Sequence, residues 1–275
     1  MNLTNLKSNI LQLLDKRSAY FSIFIHTEEG DIAINANEPR KAASLIKIPI
    51  LIESFHQIEN HRLQPNTLVY IEDDMKVSGA GVIYYLTQSN IYSYQNLLEL
   101  MITFSDNTAA NIMLDKIGMN SINKRAKSLA CTHTKMERFF MDQQSQKNGY
   151  ENYTTAHDMV RFLSIITKSN SVINENSRNE ILKILSNQQF NHKLPGYWKN
   201  DSKIQIYHKT GELPGVEHDA AIMTYKDRTI IAAILSEDSL NNSDNRNYIA
   251  EIGKQLANYI EDDQYETISR GREHD

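Results

Sequence analysis

A hydroxyl and an amine stand three residues apart in Lys41-Ala42-Ala43-Ser44-Leu45-Ile46-Lys47-Ile48-Pro49-Ile50-Leu51-Ile52, at the mouth of an apolar run. On a helix, residues i and i+3 share a face, so Ser44 and Lys47 can touch. Pro49 has no backbone N–H and would clash with the carbonyl of Leu45, which places it near a helix start and Ser44 at or just before the first turn. The free N–H groups of a helix start favour developing negative charge, and a lysine flanked by Ile46, Ile48 and Ile50 can be desolvated enough to act as a base. The chemistry this arrangement can do is nucleophilic attack by a serine whose proton goes to a lysine.

Taken alone the spacing carries little. Average composition predicts roughly one Ser-x-x-Lys by chance in a chain of this length, and a helix cap beside a surface lysine would explain it. A second copy, Ser121-Ile122-Asn123-Lys124, follows Lys116-Ile117-Gly118-Met119-Asn120 as an ordinary helix start. The 44–47 pair differs because it opens a long apolar run and has partners downstream. Ser105-Asp106-Asn107 lies within Met101 to Asn111, and Lys209-Thr210-Gly211 within Tyr207 to Glu212. Each triplet has a chance expectation of roughly 0.05 per chain. Singly, one could cap a helix and the other end a strand; together, in this order, they mark a site.

Several elements must bring these residues together. Leu3, Leu6, Ile10, Leu13 and Leu14 give an amphipathic helix over 3–16. Residues 20–25 and 31–35 read as strands joined by a turn at Thr27-Glu28-Glu29-Gly30, and a helix runs from about 44 to 60. Residues 65–71 are extended, and Ser78-Gly79-Ala80-Gly81 is a loop whose glycines permit backbone angles that other residues resist. From about 94 to 190 the apolar spacing is helical almost throughout. Strands return at 204–209, 220–225 and 229–235, followed by a helix over 245–260 and a polar tail from Asp262 that frays. With no repeat or linker, the strands at the two ends most economically form one sheet with the helices inserted between them. The implied division is a sheet domain of 1–42 plus 200–275 and a helical domain of 43–199.

Composition bounds the chemistry. A chain of 275 residues can bury a sizeable core, and 40% apolar with 23% charged content is that of an ordinary globular protein. A formal charge of −5 with no Lys/Arg cluster argues against a nucleic-acid partner. Cys131 is the only cysteine, so an intramolecular disulfide and a cysteine metal cluster are excluded, and it reads as a small buried apolar residue. None of the nine histidines has a metal-ligand spacing, His218-Asp219 alone is weak, and no cofactor is implied. Tyr84 and Tyr85, after the glycine loop, read as packing residues near a cleft. No window is a membrane span. The first ten residues show leucines at helical spacing in place of a secretory signal, so the expected location is the cytoplasm.

The three motifs together are the signature of class A β-lactamases and penicillin-binding proteins. Leu100 to Ala109 and His208-Lys209-Thr210-Gly211 resemble the class A serine β-lactamase family specifically, and the resemblance covers most of the chain. It implies an α+β fold: a five-stranded antiparallel sheet flanked by helices, an inserted all-helical domain, and a site in the cleft between them. By that likeness the catalytic set is Ser44 as nucleophile, Lys47 as its base, Ser105 as proton relay to the leaving group, and Lys209 as a source of positive potential. The substrate-binding set is Asn107, for a substrate amide, with Thr210, Gly211 and Glu212. Thr210 holds a carboxylate with Lys209, and the backbone N–H groups of Ser44 and Glu212 form the oxyanion hole.

A departure from the family pattern bears on turnover. Hydrolytic members carry a glutamate two residues after an arginine, in a loop beyond the Ser-Asp-Asn helix, and it activates the deacylating water. The corresponding stretch here is Arg138-Phe139-Phe140-Met141-Asp142-Gln143-Gln144, with Phe140 in the glutamate's place and Asp142 two residues on as a shorter substitute. The expectation is a serine hydrolase acting on a small-molecule amide or ester, β-lactams among the candidates, with weak deacylation. The alternative is a penicillin-binding or sensor-type module that is acylated without efficient turnover. A silent binding cleft is a third reading, and retention of Ser44, Lys47, Ser105 and Lys209 counts against it.

Overall fold

The apolar spacing at the N-terminus forms helix α1 (Leu3–Leu14), with Leu6, Ile10 and Leu14 buried and Asn2 capping it by accepting the Asn5 N–H. It opens a computed structural model that describes residues 1–237 and 241–262. A hairpin of β1 (Phe21–Thr27) and β2 (Gly30–Ile34) follows, then β3 (Arg40–Lys41), a 3-10 turn over Ala43–Ile46 and helix α2 (Lys47–Glu59). The middle of the chain carries β4 (Leu68–Tyr70), β5 (Ile91–Ser93), α3 (Tyr94–Thr103), α4 (Asn107–Ile117), α5 (Met119–Ser128) and α6 (Gln143–Lys147). It continues with β6 (Tyr153–Thr154), α7 (Ala156–Thr167) and α8 (Glu175–Ser186). Strands β7 (Gln205–Leu213), β8 (Val216–Tyr225) and β9 (Arg228–Ser236) lead to α9 (Asn242–Ile260). Beyond Asp262 the polar tail lies outside the described residues.

Five strands make one antiparallel sheet in the order β2-β1-β9-β8-β7. The two ends of the chain meet where β1 pairs with β9, Phe21 opposite Ser236 and Ile25 opposite Ala232. This is the α+β arrangement that the strand positions imply. Alternate residues of the sheet feed two cores. Ile23, Ile25, Met223, Ala232 and Ile234 pack with Leu6 and Ile10 of α1 and Ile249, Ile252 and Leu256 of α9. Ala220, Ile222, Ile231, Ala233 and Leu235 face the other way and join the cluster that holds α2 and α7. Both faces are covered, which is why 230–235 reads as an unbroken apolar run and not an alternating one. Among the described residues no helix is long and apolar enough to cross a membrane.

Helix α2 is the buried axis of the second core: residues 47–55 are all buried, the pattern of a helix with neighbours on every side. Pro49 is its third residue, where a backbone N–H would have no acceptor within the helix. Ser44 precedes this helix and sits in the 3-10 turn, where three residues per turn bring i and i+3 together as effectively. The Lys-Thr-Gly triplet lies inside β7, an edge strand that runs on to Leu213. Two small sheets, β3 with β6 and β4 with β5, have strands of two or three residues, too short to carry a readable period.

The segment before β7 crosses α9 at Gly253. A Cβ there would stand well inside contact distance of the Leu194 carbonyl oxygen, and Trp198 Nε1 donates to the Gly253 carbonyl at 3.0 Å. Gly253→Ala must therefore lift the segment off the helix, lowering the unfolding free energy by about 1–3 kcal/mol. A urea titration should show an earlier midpoint; an unchanged midpoint would contradict this packing.

Candidate active site

Lys47 begins α2 and has no exposed surface. Its amine lies 3.3 Å from Ser44 Oγ, 3.2 Å from Ser105 Oγ, 2.6 Å from the Ser105 carbonyl oxygen and 2.9 Å from Asn107 Oδ1. Burial, and after it the charge of Lys209, push its pKa well below the ordinary 10.5, with Asp106 opposing. An uncharged amine has two N–H donors and one lone pair. The two shortest contacts are to a carbonyl and an amide oxygen, which only accept, so they take the two donors. The lone pair is left for a hydroxyl, Ser44 or Ser105, which is the geometry of a base.

Ser105 and Asn107 come from the junction of α3 and α4. Ser105 has φ +54°, a left-handed conformation unusual for a side-chain-bearing residue, and Ala43, just before Ser44, has φ +45°. Such angles cost about 1–3 kcal/mol each and persist where the surroundings over-determine them. Asp106 supplies that restraint. Its Oδ1 accepts the Ala109 N–H at the start of α4, and its Oδ2 accepts the N–H groups of Val82 and Ile83 at 2.7 and 2.8 Å. The glycine loop is drawn so close that a Cβ on Gly81, at φ +112°, would collide with Asp106. Asn107 donates through Nδ2 to the Ser78 carbonyl at 3.2 Å, which fixes its oxygen toward Lys47.

Strand β7 brings the third motif. Lys209, also without exposed surface, donates from Nζ to Ser105 Oγ at 3.0 Å and to the Thr210 carbonyl at 2.8 Å. Burial, then the charge of Lys193, lower its pKa to about 7, against the pull of Asp219. Gly211 lies flat against the serine turn, where an added Cβ would be 3.3 Å from the Ala43 methyl group. Thr210 is buried and Glu212 exposes half its side chain beside Arg246. Ser44, Lys47, Ser105, Asn107, Lys209, Thr210, Gly211 and Glu212 thus meet at one place.

Phe140 closes the remaining side of the lysine, its ring centre 4.5 Å from Lys47 Nζ. Asn111 clamps it, accepting the Phe140 N–H at 2.8 Å and donating to the Phe140 carbonyl at 3.0 Å. Asp142, the candidate substitute for the missing glutamate, caps α6. It accepts the Ser145 N–H at 2.9 Å and the Ser145 hydroxyl at 2.6 Å, bonds that hold its carboxyl below the usual range. Arg138 pairs with Glu151, at 2.7 Å, and not with Asp142.

Three residues at this site escaped the motifs. Asn111 follows Asn107 by one helical turn, a spacing that could have signalled it. Lys193 and Arg246 have no local signature. Of the other sequence candidates, Ser121 sits in the first turn of α5, as a helix start should. Tyr84 and Tyr85 are exposed and stack edge to face, centroids 5.1 Å apart. Cys131 is buried, its thiol pushed up by burial.

A family model described as "Beta-lactamase enzyme family" matches residues 5–260. No match is found among curated protein sequences. Among solved structures, PBP-A superposes with a TM-score of 0.83 at 24% identity, over 94% of this chain and 97% of that one. A beta-lactamase from Sphaerobacter thermophilus DSM 20745 gives 0.84 at 22% identity over 91% and 95%. TLA-3 extended-spectrum beta-lactamase gives 0.83 at 18% identity over 94% and 99%. At these identities the likeness establishes the fold.

The lowered pKa of Lys209 has a measurable signature. Between about 7, its folded value, and the ordinary 10.5, the unfolded chain holds more protons than the folded one, so stability from this group rises with pH across that window. Below it both states are charged, and the burial penalty is felt in full. Lys209→Met removes the titration. The wild-type melting temperature should therefore gain on that of the variant from pH 7 to pH 10; a gap that does not move with pH would contradict the assignment.

Proposed function

Because the chain belongs to the beta-lactamase enzyme family, we propose that it is a serine hydrolase whose Ser44 is acylated by an amide or ester, with β-lactams the first class to test, and whose acyl-enzyme clears slowly. The observation that carries this reading is the shared hydroxyl. Ser105 Oγ is within 3.2 Å of Lys47 Nζ and 3.0 Å of Lys209 Nζ, while Ser44 Oγ is 3.3 Å from the same Lys47 amine.

That arrangement supports a complete proton route. Ser44 Oγ attacks the carbonyl carbon as its proton passes to Lys47 Nζ, and the oxygen that becomes anionic is held by the N–H groups of Ser44 and Glu212. When the carbon–nitrogen bond breaks, the leaving nitrogen takes a proton from Ser105 Oγ, and Lys47 replaces it. Lys209 and Thr210 hold the substrate carboxylate. Asn107 keeps Lys47 oriented through Oδ1 and has a second Nδ2 hydrogen for a substrate amide.

Release of the acyl group needs a base for water. Phe140 cannot accept a proton, and both Asp142 oxygens are engaged by Ser145. This favours a second reading alongside the first, a penicillin-binding or sensor-type module that stays acylated. PBP-A, similar in fold, is known in a variant as an acyl-enzyme complex with penicillin G.

Mixing the protein with a chromogenic β-lactam should release a burst near one equivalent, then a slow phase, with a mass adduct that is lost in Ser44→Ala. Absence of any adduct, or an adduct on Ser121, would overturn the reading. Phe140→Glu should quicken the slow phase, by up to about 10²–10⁴-fold, with the burst rate little changed, whereas Asp142→Asn should leave both phases as they are. Steady fast turnover by the wild type, lost in Asp142→Asn, would show that Asp142 is the base after all.

A further inference from the structure

Lys193 lies outside all three motifs, in the segment that crosses α9, yet it is wholly buried beside the site. Its amine donates to the Gly211 carbonyl at 2.8 Å and the His218 carbonyl at 3.3 Å, and it is ion-paired with the Glu217 carboxylate at 2.5 Å. Arg246, from α9, holds the other Glu217 oxygen at 2.8 Å and also reaches Glu212 at 3.3 Å. A buried ion pair of this kind contributes little net stability, and an apolar replacement is often neutral. What it does well is fix a charge and a direction.

The Gly211 carbonyl and the Glu212 N–H are the two ends of one planar trans peptide, so they point in opposite directions. A cation donating to the carbonyl end polarises the amide and strengthens the N–H end as a donor. We propose that Lys193 is a positioning residue for acyl transfer: its buried ammonium aims and polarises the Gly211–Glu212 peptide, so that the Glu212 N–H binds the oxygen that turns anionic when Ser44 attacks. The effect is greatest in the transition state, where that oxygen carries its charge. Seating Gly211 this way also keeps β7 against Ala43 and the serine turn. The inference rests on the assignment of Ser44 as nucleophile.

The test compares wild type, Lys193→Met and the double variant Lys193→Met/Glu217→Gln, which leaves Glu217 without an unpaired charge should the single variant fold poorly. Rapid mixing with a chromogenic cephalosporin over a range of concentrations separates the maximal acylation rate from the saturation constant. Phenylboronic acid, which forms a tetrahedral anion on a nucleophilic serine, reports the oxyanion site directly. The maximal rate should fall about tenfold or more and the boronate affinity by a matching factor, with the saturation constant changing by less than about threefold. Folded variants that acylate at the wild-type rate would overturn the Lys193 assignment alone. So would a loss confined to the saturation constant with boronate affinity intact. A wild type that forms no Ser44 adduct would overturn the nucleophile assignment, and this inference with it.

Discussion

Two lysine amines without solvent contact share one hydroxyl, and they cannot both carry a full charge there at little expense. Much of the structure around them answers that constraint. Lys47 is kept dry by being the first residue of the most buried helix, with Phe140 over its open side. Lys209 arrives from an edge strand whose free edge lies along the serine turn. Burial acts first on both amines; the Lys209 charge then lowers Lys47, and the Lys193 charge lowers Lys209. The result is an amine whose pKa lies well below that of an exposed lysine.

The site is assembled from three parts of the chain that have no local reason to meet. The sheet supplies the meeting point: pairing of β1 with β9 joins the ends, and the order β9-β8-β7 carries Lys209 to the rim beside α2. The strained backbone at Ala43 and Ser105 is then held by contacts made elsewhere, the Asp106 carboxylate and the close approach of Gly211. Asp106 therefore holds Ser105, its neighbour in the chain, by pinning the glycine loop and the start of α4 together.

Much of this was legible in the sequence because it is written in contiguous triplets and long periodic runs. Ser-Asp-Asn and Lys-Thr-Gly are rare enough to identify, and the apolar runs at 48–52 and 230–235 mark a helix and a strand. What stayed hidden has a different physical character. Left-handed angles at Ala43 and Ser105 fall on residue types that give no warning. The short strands β3, β5 and β6 have no period. Lys193 is a single charge whose partners lie 18 to 25 residues away, at Gly211, Glu217 and His218. Asp142 drew attention by its position, and its bonding to Ser145 makes it a helix cap.

The account stands or falls on whether Lys47 is an uncharged amine in the resting protein, because a permanently charged lysine could not take the Ser44 proton. Carbon-13 NMR of lysine labelled at Cε reads this directly, with Lys47 assigned by substitution. The account predicts a Lys47 resonance that titrates well below 10.5 and moves upward when Lys209 is replaced by methionine, since the Lys209 charge is part of what depresses it. A Lys47 resonance titrating at the ordinary lysine value, unmoved by loss of Lys209, would contradict it.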